Sequence, residues 1–318
     1  MKNQFLPIST LSRRSLLKWS MATSASALCS NFLEAPSMII PIQRINTRTI
    51  PSSGEALPIV GIGTWQTFDV GNHATQRAEL KKVLQTFVEL GGQVMDSSPM
   101  YGTSEKVVGD LAADLGILDQ LFMATKVWTN GEQAGIQQMD NSMQKMRRQP
   151  MDLMQVHNLL DFKTHIKTLQ KWKAAGKIRY IGITHYLDNR HDEMAELIKK
   201  YPLDFIQINY SIQSRNAEKR LFPTAKDKGV AVLVNRPYEG GQLFRTIKNT
   251  ALPLWAKEYD INSWGQYFLK FILSHPAITC VIPGTSKLKH LQDNMGAGLG
   301  NLPDKKGREK LATFLDNL

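Results

Sequence analysis

Four residues whose types could carry proton chemistry close three consecutive apolar runs of this 318-residue chain. Asp96 and Tyr101 lie in Asp96-Ser97-Ser98-Pro99-Met100-Tyr101-Gly102, Lys126 follows the run 121–125, and His157 follows the run 152–156. A phenol alone is a poor acid near neutrality, with a pKa of about 10. An ammonium beside it favours the phenolate and so strengthens Tyr101 as a proton donor, while Asp96 can pair with Lys126 and hold its head group in place. His157, as a neutral imidazole with one N–H donor, is suited to bind a carbonyl oxygen and aim it at Tyr101. Together the four would form a site that stabilises an oxyanion and delivers a proton. Taken singly, each has a structural reading: Asp96 as a helix cap, Tyr101 as a loop aromatic, Lys126 as an ion-pair partner, His157 as a strand-end histidine with its bonds satisfied. Four such coincidences in this order are improbable, and the joint reading is catalytic.

Residues so far apart in sequence must be brought together by the fold. Short apolar runs bounded by turn residues occur at 59–63, 93–95, 121–125, 152–156, 179–183, 204–208, 230–234 and 279–282, which predicts eight strands. Between them, helical periodicity predicts helices over 75–90, 104–115, 132–147, 161–175, 191–201, 216–228 and 263–274, with a shorter one near 254–259 and a final one over 304–317. Nearly continuous apolar strands alternating with helices indicate an α/β chain with a parallel sheet covered by helices. An open doubly wound sheet competes, but no GxGxxG follows the first strand, which ends Gly61-Ile62-Gly63-Thr64-Trp65. The expected architecture is a (β/α)8 TIM barrel, whose strands present their C-terminal ends at one mouth. Pro51-Ser52-Ser53-Gly54 predicts an N-terminal β-hairpin closing the bottom.

The first 37 residues are read apart from the barrel, which is assigned to 38–318. Ser12-Arg13-Arg14-Ser15-Leu16-Leu17-Lys18 and the weakly apolar stretch to Leu28 resemble a twin-arginine export signal, with no acid before Glu34. This predicts the twin-arginine machinery as a partner and a periplasmic location, without stable membrane anchoring, because the apolar stretch is short of the ~20 residues a span needs. Removing Lys2, Arg13, Arg14 and Lys18 lowers the formal charge from +11 to +7, and the remaining cations are scattered, which argues against nucleic acid. Cys29 lies in the leader and Cys280 in an apolar strand, so no disulfide and a core role for Cys280 are expected. The seven histidines show no paired spacing with an acid on one helix, so no metal is expected.

From about residue 48 to 315 the chain resembles the aldo-keto reductase family. The resemblance rests on the Asp96-to-Tyr101 spacing with Gly102, Ser104 and Glu105, the strand-ending Lys126 and His157, Gly176 to Gly182, Gln207-Ile208-Asn209-Tyr210, and Ile282-Pro283-Gly284-Thr285. It implies a nicotinamide cofactor, with NADP (as NADPH) preferred and NAD less so. Gly284-Thr285-Ser286-Lys287 opens a helix whose amides suit a phosphate. By the resemblance Thr285, Ser286 and Lys287 would meet the adenosine 2′-phosphate, His290 stands where an arginine is often found, and Asn294 would face the adenine. Gln207 would bind the carboxamide. Departures from the pattern are Thr184-His185 for a Ser-Asn pair, and Asn235-Arg236-Pro237-Tyr238 for a segment that usually begins with an aromatic. Arg236 is then a candidate for the pyrophosphate.

Trp65, Met100, Trp128 and Tyr238 fall in loops at the expected mouth and predict an apolar, aromatic pocket, with Trp65 also a candidate cofactor contact. With no long segment after the last helix, an open site for small aldehydes or ketones is expected. The resulting expectation is a monomeric, NADPH-dependent carbonyl reductase acting on a small-molecule carbonyl compound. The alternatives are an exported protein that holds the cofactor with little turnover, and a barrel hydrolase or isomerase using Asp96 and His157.

Overall fold

In a computed structural model, residues 44–318 are described, and the predicted export leader (1–37) lies outside them. Two short strands, β1 (Thr47–Thr49) and β2 (Ala56–Pro58), form an antiparallel hairpin. Eight parallel strands follow: β3 (Ile62–Gly63), β4 (Val94–Asp96), β5 (Phe122–Val127), β6 (Met151–His157), β7 (Ile178–His185), β8 (Phe205–Asn209), β9 (Ala231–Asn235) and β10 (Cys280–Val281). They neighbour one another in chain order, and bridges from Val60 to Val281 and from Gly63 to Gly284 join the last strand to the first. The sheet is therefore a closed barrel, which leaves no unpaired edge.

The helices are α1 (Ala74–Glu89), α2 (Ser104–Leu115), α3 (Glu132–Met146), α4 (Phe162–Ala174), α5 (His191–Lys200), α6 (Leu221–Asp227), α7 (Leu243–Thr246), α8 (Trp264–Leu273), α9 (Leu288–Gly296) and α10 (Lys305–Asp316). Each amphipathic helix buries one stripe. In α1 this is Leu80, Val83, Leu84 and Phe87, whose spacing follows the helical period. Two predicted starts coincide with side-chain caps: Ser263 accepts from the Gln266 amide and Asp304 from the Gly307 amide. Two predictions differ. The helix expected over 216–228 is a 3₁₀ turn (Asn216–Glu218) followed by α6, and the segment after β9 holds a 3₁₀ turn (Glu239–Gly241) and α7, which two adjacent glycines had hidden.

Alternation along the strands divides the core in two. In β5, Met123 and Val127 pack outward with the helices, whereas Phe122 and Ala124 join Val94, Leu153, Tyr180, Phe205, Ala231, Leu233, Cys280 and Ile282 inside the barrel. Both faces are buried, which is why the strands read as continuous apolar runs. Most of this inner plug comes from strand starts, and Ile50 and Leu57 of the hairpin complete it from below. Arg48 secures the hairpin by donating to the carbonyls of Leu273, His275 and Ile278, and the Tyr180 hydroxyl donates to Glu55 (2.5 Å) and accepts from Ser53 (2.8 Å). The predicted hairpin thus closes the N-terminal end, and chemistry is left to the opposite mouth.

Candidate active site

Above the apolar plug the inward positions turn polar. Asp96 ends β4, and its register places it beside Gly63 and Ala124, while Lys126 pairs with Gln155 across β5 and β6. The Lys126 ammonium donates to Asp96 Oδ2 at 2.7 Å and to the Ser97 carbonyl at 2.6 Å. The other carboxylate oxygen accepts from Gln207 Nε2 (2.7 Å) and Gln155 Nε2 (3.2 Å). Burial opposes the ammonium, but Asp96 and Tyr101 hold the Lys126 pKa above the ordinary lysine value. Lys126 is therefore a fixed positive charge. Gly182 makes room for this layer: a Cβ there would lie 2.9 Å from Gln155 Cγ.

Tyr101 stands over that charge, with Lys126 Nζ 5.0 Å from its ring centroid. Burial raises the phenol pKa and Lys126 pulls it back down, so the lysine offsets part of what desolvation does. The loop carrying Tyr101 turns at Gly102, whose φ is +58° and whose added Cβ would lie 2.3 Å from Asp69 Oδ2. Asp69 in turn accepts from both the amide and the hydroxyl of Thr103 at 2.8 Å, tying this loop to the one after β3. His157 ends β6 with its ring edge-on to Tyr101 at 5.9 Å. Burial, then Lys126 and His185, push its pKa down to about 2, so it is a neutral imidazole. All four predicted catalytic side chains are thus brought together.

Trp65, Met100 and Trp128 are 49%, 39% and 41% exposed on the loops after β3, β4 and β5, and Trp128 lies 6.3 Å from the His157 ring. Tyr238 differs from the expectation. Its ring packs on Phe244 and Phe268 and its hydroxyl donates to Asn294 Oδ1 at 2.6 Å, because α8 offers an apolar surface behind the loop. Asn294 is accordingly buried, with its carbonyl oxygen already engaged.

Of the predicted cofactor residues, Thr184 donates to Gln207 Oε1 at 3.2 Å and both are buried. The buried His185 accepts at Nδ1 from the amides of Tyr186 (3.0 Å) and Leu187 (3.2 Å), so its proton lies on Nε2. Tyr186 stacks on His185 (5.6 Å, 16°), and the Arg236 guanidinium lies 5.8 Å from the Tyr186 ring. After β10, Thr285 Oγ1 accepts from the Lys287 amide at 3.1 Å, while Gly284, Lys287, Lys289 and His290 are exposed and Ser286 half-buried. The N-terminus of α9 has no side-chain cap, and among the described residues the amides of Leu288, Lys289 and His290 find no acceptor. Free amides at a helix start flanked by cations suit a phosphate.

Sequence reading missed four groups of the site. Gln155 stands two residues before His157 on the same face of β6, and period-two alternation alone could have found it. Asn235 Oδ1 is buried beside Gln207 without a partner among the described residues, where the resemblance marks only a missing aromatic. Ser97 accepts from Thr64 Oγ1 at 2.9 Å, and Ser98 contacts His157 Nδ1 at 3.1 Å. No spacing rule points to either serine.

Comparison with known proteins identifies the family and the fold. The profile of the Aldo/keto reductase family matches residues 59–309. Methylglyoxal reductase YeaE of Escherichia coli (strain K12) is 28% identical over 256 residues, covering 78% of this chain and 88% of that protein. L-glyceraldehyde 3-phosphate reductase of the same strain is 25% identical over 300 residues, covering 79% and 86%. An aldo-keto reductase from Klebsiella pneumoniae, solved in complex with NADPH, superposes with a TM-score of 0.72 at 22% identity, covering 86% of this chain and 95% of that one, and so shares the fold. A match running from the first barrel strand into the last helix leaves one assignment: the chain is an oxidoreductase belonging to the aldo/keto reductase family.

Proposed function

We propose that the protein reduces aldehydes or ketones to alcohols with NADPH, Tyr101 donating the proton. The observation that carries this reading is the buried Lys126–Asp96 pair set against Tyr101, with the neutral His157 at the same mouth. When bound, the reduced nicotinamide supplies a hydride to the carbonyl carbon. Tyr101 protonates the carbonyl oxygen, and the Lys126 charge favours the phenolate left behind. Asp96 holds Lys126, and His157 orients the carbonyl as a hydrogen-bond donor. Trp65, Met100 and Trp128 shape an apolar entrance for a small carbonyl compound.

The groups toward the cofactor fit a nicotinamide dinucleotide. Thr184, His185 and Gln207 lie together at the C-terminal ends of β7 and β8, and the locked Nε2–H of His185 can donate to the carboxamide oxygen without accepting from its amide. Arg236 suits the pyrophosphate. Gly284, Thr285, Ser286, Lys287 and His290 suit the adenosine 2′-phosphate, which favours NADP over NAD, and Asn294 would face the adenine. Tyr101→Phe tests the reading: NADPH binding measured by fluorescence should persist while aldehyde-dependent NADPH oxidation falls about 10²- to 10⁴-fold. Undiminished turnover in that variant would remove Tyr101 as the donor, and tight binding with no turnover in the wild type would favour a cofactor-holding role.

The Arg13-Arg14 segment supports export by the twin-arginine route to the periplasm, tested by fractionating cells that express Arg13→Lys/Arg14→Lys protein. A monomer is the expected state, tested by light scattering on a sizing column.

A further inference from the structure

Ser98 and His157 meet inside the barrel mouth. Ser98 Oγ lies 3.1 Å from His157 Nδ1, with both residues buried. Among the described residues the hydroxyl has one other hydrogen-bond partner, the Met100 amide at 3.5 Å, and an amide N–H can only donate. If His157 also donated, the buried hydroxyl proton would have no acceptor, an arrangement that folded proteins avoid. The proton therefore goes to Nδ1, and the imidazole carries its own hydrogen on Nε2. Among the described residues that nitrogen has no partner, and it is not fully buried, so it opens toward the mouth.

The backbone presenting Ser98 is held by the catalytic layer itself. The Ser97 amide donates to the Ala124 carbonyl at 2.9 Å, the Ser97 carbonyl accepts from Lys126, and its hydroxyl accepts from Thr64. We propose that Ser98 is a positioning residue that locks His157 in the Nε2–H tautomer, so that a hydrogen-bond donor always faces the substrate carbonyl. Without Ser98 the buried Nδ1 has no donor, the two tautomers exchange, and in the second one a lone pair faces the carbonyl oxygen and repels it. The consequence for turnover rests on the reductase reading, whereas the tautomer assignment does not.

The experiment is side-chain 15N–1H correlation NMR of the full-length protein without cofactor, with the His157 signals assigned through His157→Asn. The expected result is an unprotonated Nδ1 and a protonated Nε2 in the wild type, shifts drawn toward each other in Ser98→Ala, and recovery in Ser98→Thr. Turnover number in Ser98→Ala should fall about three- to tenfold with the NADPH dissociation constant unchanged, and recover in Ser98→Thr. A wild-type proton on Nδ1, or an unchanged tautomer in Ser98→Ala, overturns the proposal. Should Ser98→Ala fail to fold, the wild-type and Ser98→Thr spectra decide the matter. A locked tautomer in a protein that turns over no carbonyl compound would sustain the Ser98 assignment and defeat the reductase reading.

Discussion

The Lys126 ammonium and the Asp96 carboxylate form a 2.7 Å ion pair with side chains 0% and 3% exposed. Both groups have left water, so neither can lose its partner cheaply. Gln155, Gln207 and the Ser97 carbonyl satisfy the remaining positions and keep the pair rigid.

Lys126→Met should therefore fail in two separable ways. Removing one partner of a buried pair costs about 3–5 kcal/mol, and the proton donor loses its tuning charge. Urea denaturation reads the first effect and aldehyde reduction the second. The double variant Asp96→Asn/Lys126→Met should recover stability but not activity; a double variant no more stable than Lys126→Met alone would show that the pair is not the source of the loss.

His157 makes stability pH-dependent. Its native pKa of about 2 lies below the ~6.5 of an unfolded histidine, so between those values the unfolded chain takes up a proton that the native protein refuses. Stability falls as pH drops through this window. His275, lowered to about 4 chiefly by burial, acts in the same direction. From pH 7 to 4.5 the urea midpoint of His157→Asn should fall less than that of the wild type, and equal declines would mean that His157 titrates as it does in the unfolded chain.

Gly102→Ala is expected to damage catalysis through the backbone. A side chain at φ +58° is strained, and its Cβ would meet Asp69 at 2.3 Å. The loop holding Tyr101 must shift, at a cost of about 1–3 kcal/mol. Thermal unfolding should drop and turnover fall with it, while Asp69→Ala/Gly102→Ala should regain part of the loss if the clash is the cause.

Discrimination between the two nicotinamide dinucleotides should reside at the start of α9. Lys287→Ala/His290→Ala is expected to weaken NADPH binding about tenfold and leave NADH within about twofold, because only the 2′-phosphate uses those hydrogen-bond donors. Isothermal titration with both nucleotides checks this, and equal losses would place the two side chains elsewhere on the cofactor.

Much of this site is legible in the order of residues. Alternating apolar runs and helical periods specify a parallel sheet covered by helices, since strands buried on both faces leave a signature in local composition; the missing GxGxxG favours the barrel over an open sheet, and the ends of those runs mark Asp96, Lys126 and His157 as neighbours at one mouth. Tertiary structure alone decides what each side chain does there. Gln207 reaches Asp96 across 111 residues, Tyr238 turns from the mouth to bind Asn294, and Ser98 meets His157 across 59. Periodicity records which face of an element is buried, but the partner of a buried polar atom is set by barrel closure and register, which bring together positions that no local pattern relates.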